Sequence, residues 1–170
     1  MENNKPICLT FAGVIGSSKT PIANFLSCKL GLPVFNNDAV GSSVIEDLGF
    51  LDKKVQEEKR NDILKDVLKT KRSFICDASI DRGWSVLKQQ LLEFGYDWFV
   101  ISLDLSKEKL IELYRVKKYD ESLLRLDQFF ADHDKFIAEN KKDINISIND
   151  SDFSRRLEIS YSAVFPLFNK

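Results

Sequence analysis

The polarity pattern along the chain switches repeatedly between two rhythms. Short apolar runs, which suit strands buried on both faces, alternate with longer stretches whose apolar residues recur every three or four positions. Ile7 to Ala12 is the first run, and Gly13 ends it. From Lys19 onward, Ile22, Phe25, Leu26 and Leu30 fall on one helical face, and Gly31 supplies a stop signal. Pro33 to Phe35 is a second short strand that runs into Asn36, Asn37 and Asp38. A polar-to-mixed stretch with no assigned element follows. Next comes a helix over about 52–69, with Ile63, Leu64, Val67 and Leu68 as its apolar face and Val55 as a looser member. Ser73 to Cys76 is the third strand, closed by Asp77. Trp84, Leu87, Leu91 and Phe94 mark a helix that Gly95 ends, and Trp98 to Leu103 is the fourth strand. Leu110, Ile111 and Tyr114 belong to another helix, which runs into Arg115, Lys117 and Lys118. Leu123, Leu126, Phe130, His133 and Ile137 continue the helical period. Ile144 to Ile148 alternates as the fifth strand, and Ser151 or Asp152 caps a last helix faced by Leu157, Tyr161, Val164, Phe165 and Phe168.

Five strands separated by helices require crossover connections. Crossovers produce a parallel sheet with helices on both faces, an α/β fold. The 170 residues are enough for one domain, expected to span 1–170, and no repeat or linker interrupts them. Ligands of such sheets sit outside the carboxyl ends of the strands. The polar residues that follow strands one, two and three are therefore the first candidates for chemistry.

Strand one runs into Gly13-Val14-Ile15-Gly16-Ser17-Ser18-Lys19-Thr20. The phosphate-loop pattern G-x-x-x-x-G-K-S/T follows a strand and opens a helix, as this segment does. Gly13, Lys19 and Thr20 are in register, Gly16 is an added glycine, and Ser18 stands where the pattern has glycine. Consecutive backbone N–H groups from Gly13 to Thr20 would form an anion nest, and the positive end of the following helix reinforces it. Lys19 reaches the β- and γ-phosphates, and Thr20 offers a hydroxyl to Mg²⁺. Ser18 keeps the backbone N–H but adds a side chain. That costs about 1–2 kcal/mol if its φ is positive and little if it is negative. The competing reading is a glycine-containing turn with a chance lysine. A lysine in a first helical turn opposes the helix dipole, which disfavours that reading.

On these residues, and on the order and spacing of its elements, the chain resembles the small P-loop kinases of the nucleoside- and nucleotide-kinase group. That group includes gluconate and shikimate kinases, chloramphenicol phosphotransferase and the polynucleotide-kinase domain. The resemblance extends along the whole chain, and the loop is its specific part. It implies the three-layer P-loop NTPase fold with a five-stranded parallel sheet in the order 2-3-1-4-5, ATP and Mg²⁺ as cofactors, and a short lid around 115–125. It gives Asp38 the task of orienting an acceptor hydroxyl or accepting its proton. Helix capping is the alternative for Asp38. The arginine that relatives carry shortly afterwards has no counterpart in Ala39, Val40 and Gly41. Asp77 reads as a Walker-B-like carboxylate for Mg²⁺ or substrate, against a turn or capping role for which Asp81 competes. Arg82 reads as a surface arginine. Arg115 is implied as the lid cation that closes over the transferring phosphate, with Arg125 a second candidate. A cationic helix C-terminus accounts for Arg115, Lys117 and Lys118 without any ligand. In similar kinases the loop over 149–152 edges the adenine, and a turn with a helix cap is the alternative here. The implied set is Lys19, Asp38 and Arg115 for catalysis, Gly13 to Thr20 for the nucleotide, and Thr20 with Asp77 for the metal.

Charge narrows the classes further. Lys plus Arg total 25 against 26 for Asp plus Glu, a net charge of -1, which opposes a non-specific nucleic-acid surface. The mixed-sign stretch from Lys53 to Arg72 reads as a solvated helix face. No apolar run reaches the roughly 20 residues of a membrane helix, and the N-terminus lacks signal-peptide features, so a cytoplasmic location is expected. Cys8, Cys28 and Cys76 read as free buried thiols. His133 shares a stripe with Phe129, Phe130, Phe136 and Ile137 and reads as a packed histidine. The expected function is ATP- and Mg²⁺-dependent transfer of a γ-phosphoryl group to a hydroxyl of a small-molecule acceptor, with neither nucleic acid nor membrane as partner. Two alternatives stay open. One is a nucleotide-binding module or slow NTPase without kinase activity, which Ser18 and the missing arginine motivate. The other is a polynucleotide 5′-hydroxyl kinase, which the near-neutral charge and the acidic 36–52 segment oppose.

Overall fold

The computed structural model describes residues 5–168. Five strands form one parallel sheet: β1 (Ile7–Ala12), β2 (Val34–Asn36), β3 (Phe74–Ser79), β4 (Asp97–Leu103) and β5 (Ile144–Ile148). Their order is β2-β3-β1-β4-β5, as expected from the sequence. The apolar run of β1 puts it at the centre, where helices must cover both faces. The helices are α1 (Lys19–Leu30), α2 (Asn37–Leu48), α3 (Lys53–Lys69), α4 (Trp84–Glu93), α5 (Lys107–Lys117), α6 (Asp120–Leu123), α7 (Leu126–Asn140) and α8 (Arg156–Phe168). On one face Leu9, Phe11, Ile75 and Ile101 pack against Ile22 and Leu26 of α1 and Val164 of α8. On the other, Cys8, Phe74 and Val100 meet Leu64 and Leu68 of α3, Leu91 of α4 and Phe136 of α7. A third cluster joins Val14, just beyond β1, to Leu105, Leu110, Tyr114, Leu126 and Phe129. It anchors the β1–α1 loop from beneath.

The structure differs from the sequence expectations in particular places. The stretch after β2 is a helix. Asn36 starts α2 by accepting hydrogen bonds on Oδ1 from the backbone N–H groups of Asp38 at 2.8 Å and Ala39 at 3.2 Å. Gly41, Ser42 and Ser43 weaken the apolar pattern of α2, and tertiary packing sustains it. A Cβ at Gly41 would meet Gln56 Nε2 of α3 at 2.9 Å. Strand β3 does not close at Asp77 but runs on to Ser79, and Asp77 pairs with Asn36 in the ladder. The buried face of α7 is Leu126, Phe129, His133 and Phe136, rotated from the expected one. Ile63 and Val55 of α3 are exposed, and so is Phe165 of α8. Neither Ser151 nor Asp152 caps α8. Asn149 Oδ1 accepts their backbone N–H groups at 2.9 and 3.3 Å, and a 3₁₀ turn over Phe153–Arg155 precedes the helix. Cys8 and Cys76 are buried free thiols, whereas Cys28 lies off the Ile22–Leu26 face of α1 and is exposed. Among the described residues, no helix is long and apolar enough to cross a membrane.

Leu9 in the central strand is fully buried. Leu9→Ala is expected to cost about 2–5 kcal/mol in urea unfolding. Val116→Ala, at a position that is 78 % exposed, should change stability by less than about 0.5 kcal/mol. Equal effects at the two positions would contradict this account of the core.

Candidate active site

The segment from Gly13 to Thr20 leaves the centre of the sheet and turns back into α1. A turn this tight needs backbone conformations that side chains oppose. Gly13 has φ 133, Gly16 has φ 81 and Ser18 has φ 84. Glycine meets that need at the first two positions. A Cβ at Gly13 would lie 3.0 Å from Ser17 Oγ and 3.1 Å from Leu103 Cβ, and one at Gly16 would lie 2.6 Å from Tyr114 Cε1. Ser18 is the departure from the pattern, and it takes the costly conformation: a left-handed turn at a residue with a side chain. Val14 points down into the cluster beneath the loop, while Ile15 is exposed at its tip.

Side chains hold the carbonyls of the first four residues of the loop, Gly13 to Gly16. Lys19 Nζ donates to Gly13 O at 2.7 Å, Val14 O at 2.8 Å and Ser17 Oγ at 3.3 Å. Ser79 Oγ donates to Gly13 O at 3.0 Å. From α5, the Tyr114 hydroxyl donates to Ile15 O, and Lys117 Nζ donates to Gly16 O at 2.8 Å. With these carbonyls tied back, N–H groups of the turn are left to meet an anion. Burial lowers the pKa of Lys19 to about 8, against the opposing pull of Asp81 and Asp77. Burial also lowers that of Lys117, helped by the nearby Arg156 guanidinium.

The sequence-derived candidates distribute as follows. Thr20 Oγ1 donates to Asp77 Oδ1 at 3.2 Å, so the two metal candidates stand together. Asn36 Nδ2 approaches Asp77 Oδ2 at 3.5 Å. Asp77 is only 7 % exposed, and burial raises its pKa, with the Asp38 carboxylate adding to the rise. Asp38 is exposed near the start of α2 and is close enough to act electrostatically on both Lys19 and Asp77. It is not the helix cap, because Asn36 fills that role. Arg115 is exposed on α5, and no hydrogen bond joins it to the loop among the described residues; Lys117 and Tyr114 are the α5 side chains that reach it. Arg125 stacks over Phe129 at 5.0 Å. Arg82 pairs with Asp132 and lies over the same ring at 5.6 Å.

Sequence reasoning gave no role at this site to Asp81, His133, Asp104 or Arg156. Asp81 Oδ1 accepts the Gly13 N–H at 3.0 Å. Its other carboxylate oxygen lies 3.3 Å from His133 Nδ1, and His133 Nε2 lies 3.0 Å from Asp104 Oδ1. His133 is 4 % exposed. Burial works against its charge, but Asp104 and Asp81 outweigh that and push its pKa up to about 9. The packed histidine is therefore a buried imidazolium that joins the ends of β3 and β4 to the first glycine of the loop. Asp104 is held low by the same contact and by Ser102 and Ser147, in spite of its own burial. The fourth residue is Arg156, whose Nε donates to Ser18 Oγ at 2.9 Å. The apolar position of His133 signalled only packing, and nothing in the sequence links Arg156 to a loop so far away.

No family model matches the chain, and no curated protein matches it. Solved structures do. A gluconokinase from Sinorhizobium meliloti 1021 superposes with a TM-score of 0.68 at 12 % identity, covering 98 % of this chain and 95 % of that one. The APS kinase CysC of Mycobacterium tuberculosis, described in complex with AMPPNP and APS, has a TM-score of 0.63 at 13 % identity, covering 95 % of this chain and 98 % of that one. A structure of the PezAT toxin-antitoxin system of Streptococcus pneumoniae has a TM-score of 0.63 at 11 % identity, covering 99 % and 88 %. The chain has the fold of the small P-loop kinases.

The His133 arrangement makes stability depend on pH. Its pKa is about 9 in the folded protein, against the ordinary 6.5. Its contribution is therefore complete below about pH 6.5 and lost as pH rises through 9, and amounts to about 3 kcal/mol. His133→Gln should unfold at lower temperature than the parent at pH 6, and the gap should close by pH 10. A gap that stays constant across this range would show that His133 is neutral.

Proposed function

We propose that this protein is an ATP- and Mg²⁺-dependent phosphotransferase that moves the γ-phosphoryl group to a hydroxyl of a small molecule. One observation carries the reading. Lys19, Lys117 and Arg156 converge on the N-terminal end of α1, and the last two contact carbonyl and hydroxyl oxygens rather than carboxylates among the described residues. Three cations at the positive end of a helix repel one another and the helix dipole. A polyanion such as a triphosphate relieves that repulsion and matches the N–H groups of the turn. The kinase fold of the structural neighbours, one of them described with AMPPNP, supports the choice of nucleotide.

Each residue then has a task set by its position. The loop amides orient the phosphate chain, and Lys19 exchanges its bonds to Gly13 O and Val14 O for phosphate oxygens. The Thr20 hydroxyl and the Asp77 carboxylate are hard oxygen donors at neighbouring positions. The raised pKa of Asp77 means that a cation there would stabilise its ionised form, so the pair fits Mg²⁺. A Mg²⁺ held there would neutralise charge on the β- and γ-phosphates. Asp38, exposed and beside these groups, orients the acceptor hydroxyl in line and takes its proton. The segment 115–125 serves as the lid, with Arg115 carried on it and Tyr114 and Lys117 tethering its base to the loop. Closure of such a lid excludes water and so protects the γ-phosphoryl group from hydrolysis.

Mg·ATP at a hundredfold excess over its dissociation constant is expected to stabilise the parent by about 2.7 kcal/mol in thermal unfolding. Lys19→Ala should lose that shift. Asp38→Asn should retain it while losing about 10²–10⁴-fold in acceptor phosphorylation. Phosphate release without any acceptor, indifferent to Asp38→Asn, would instead identify a slow NTPase. The absence of a shift in the folded parent would remove the nucleotide altogether.

A further inference from the structure

Ser18 and Arg156 are 138 positions apart in the chain and meet at the start of α1. Ser18 is the N-cap of α1, with φ 84 and ψ 29, and its side chain makes no capping hydrogen bond to the helix. In this region the Cβ of an L-residue crowds the following carbonyl, so the conformation persists only where surrounding contacts impose it. The Ser18 hydroxyl accepts a hydrogen bond from Arg156 Nε at 2.9 Å. Arg156 is itself fixed at two other points. Nη1 donates to Phe153 O at 2.9 Å, and the guanidinium carbon lies 4.3 Å from the centre of the Phe153 ring. A planar fork held this way aims its Nε–H in one direction, toward Ser18. Arg156 opens α8, which packs on α1 through Val164, Ile22 and Leu26, so both ends of the contact belong to one packed layer.

We infer that Arg156 is a positioning residue of the phosphate loop. It holds Ser18 in the left-handed turn that glycine would adopt unaided, and so maintains the anion nest in a chain that lacks the glycine of the pattern. The inference rests on the proposed phosphate site and adds to it a residue from the far end of the chain.

The test is a double-mutant cycle over the parent, Ser18→Gly, Arg156→Gln and the double variant, with two readouts: titration calorimetry with Mg·ATP, and thermal unfolding without ligand. In the parent background, Arg156→Gln is expected to weaken Mg·ATP binding at least about tenfold and to lower Tm. In the Ser18→Gly background, the same change should cost at least about threefold less in binding, the remainder being the direct attraction of the Arg156 charge for the phosphates, and should lower Tm by clearly less than in the parent. Ser18→Ala keeps the Cβ but loses the acceptor, and should weaken Mg·ATP binding and lower Tm as Arg156→Gln does, by the part of that defect that Ser18→Gly removes. Equal losses in both backgrounds, no loss in either, or a Ser18→Ala protein that matches the parent would overturn the inference. If the parent does not bind Mg·ATP, the kinase reading fails on its own terms, and the cycle in Tm still decides whether Arg156 holds the turn.

Discussion

The backbone turn between β1 and α1 constrains everything around it. The segment from Gly13 to Thr20 must leave the centre of a sheet, reverse, and enter a helix within eight residues. Gly13, Gly16 and Ser18 take positive φ to achieve this. The carbonyls displaced by the turn have to find donors, because buried backbone groups left unpaired are costly. Lys19, Ser79, Tyr114 and Lys117 supply those donors, from α1, β3 and α5. The loop is thus built by the rest of the domain, and the aromatic packing over Gly16 leaves little freedom for another shape.

Electrostatics divides the surroundings of the turn into two sides. Lys117 and Arg156 lie toward α5 and α8, while Asp77 and Asp38 lie toward β2 and β3, with Lys19 between them. A triphosphate with a divalent cation has the complementary arrangement, with negative oxygens along the chain and positive charge at the metal. Behind this surface, the His133 imidazolium lies between Asp81 and Asp104 and offsets one of the two negative charges they place beside the loop. The buried charge serves the geometry of the loop through the Gly13 N–H held by Asp81.

The sequence made the sheet legible because a strand covered on both faces is a short apolar run, as β1 and β4 show plainly, while β5, at the sheet edge, alternates instead. The strand order followed from the resemblance that the phosphate loop carried. Helix α2 was not legible: its glycine and serines hide a pattern that packing against α3 sustains. The phosphate-loop candidates stand out in the sequence because they follow the end of β1 at fixed spacing, and Asp77 because it follows the apolar run Phe74 to Cys76, although β3 continues past it. Asp81, His133 and Arg156 do not, since their roles arise from contacts between distant segments. His133 even sits in a stripe of phenylalanines where only packing would be expected, and two carboxylates from other elements make it charged. Ser18 looked like a weakness of the motif. Its compensation lay in the first turn of α8, where no local pattern could reveal it.

The central claim is that the N–H groups of the β1–α1 turn form the site where a nucleotide's phosphates bind. Amide-resolved NMR of the ¹⁵N-labelled protein titrated with Mg·ATP and, separately, with adenosine tests it most directly. The account predicts that Mg·ATP moves the amide resonances of residues 14–20 first and most, in the same direction as inorganic tripolyphosphate, and that adenosine leaves them in place. Resonances of the turn that stay fixed under Mg·ATP, or that move equally with adenosine, would contradict it.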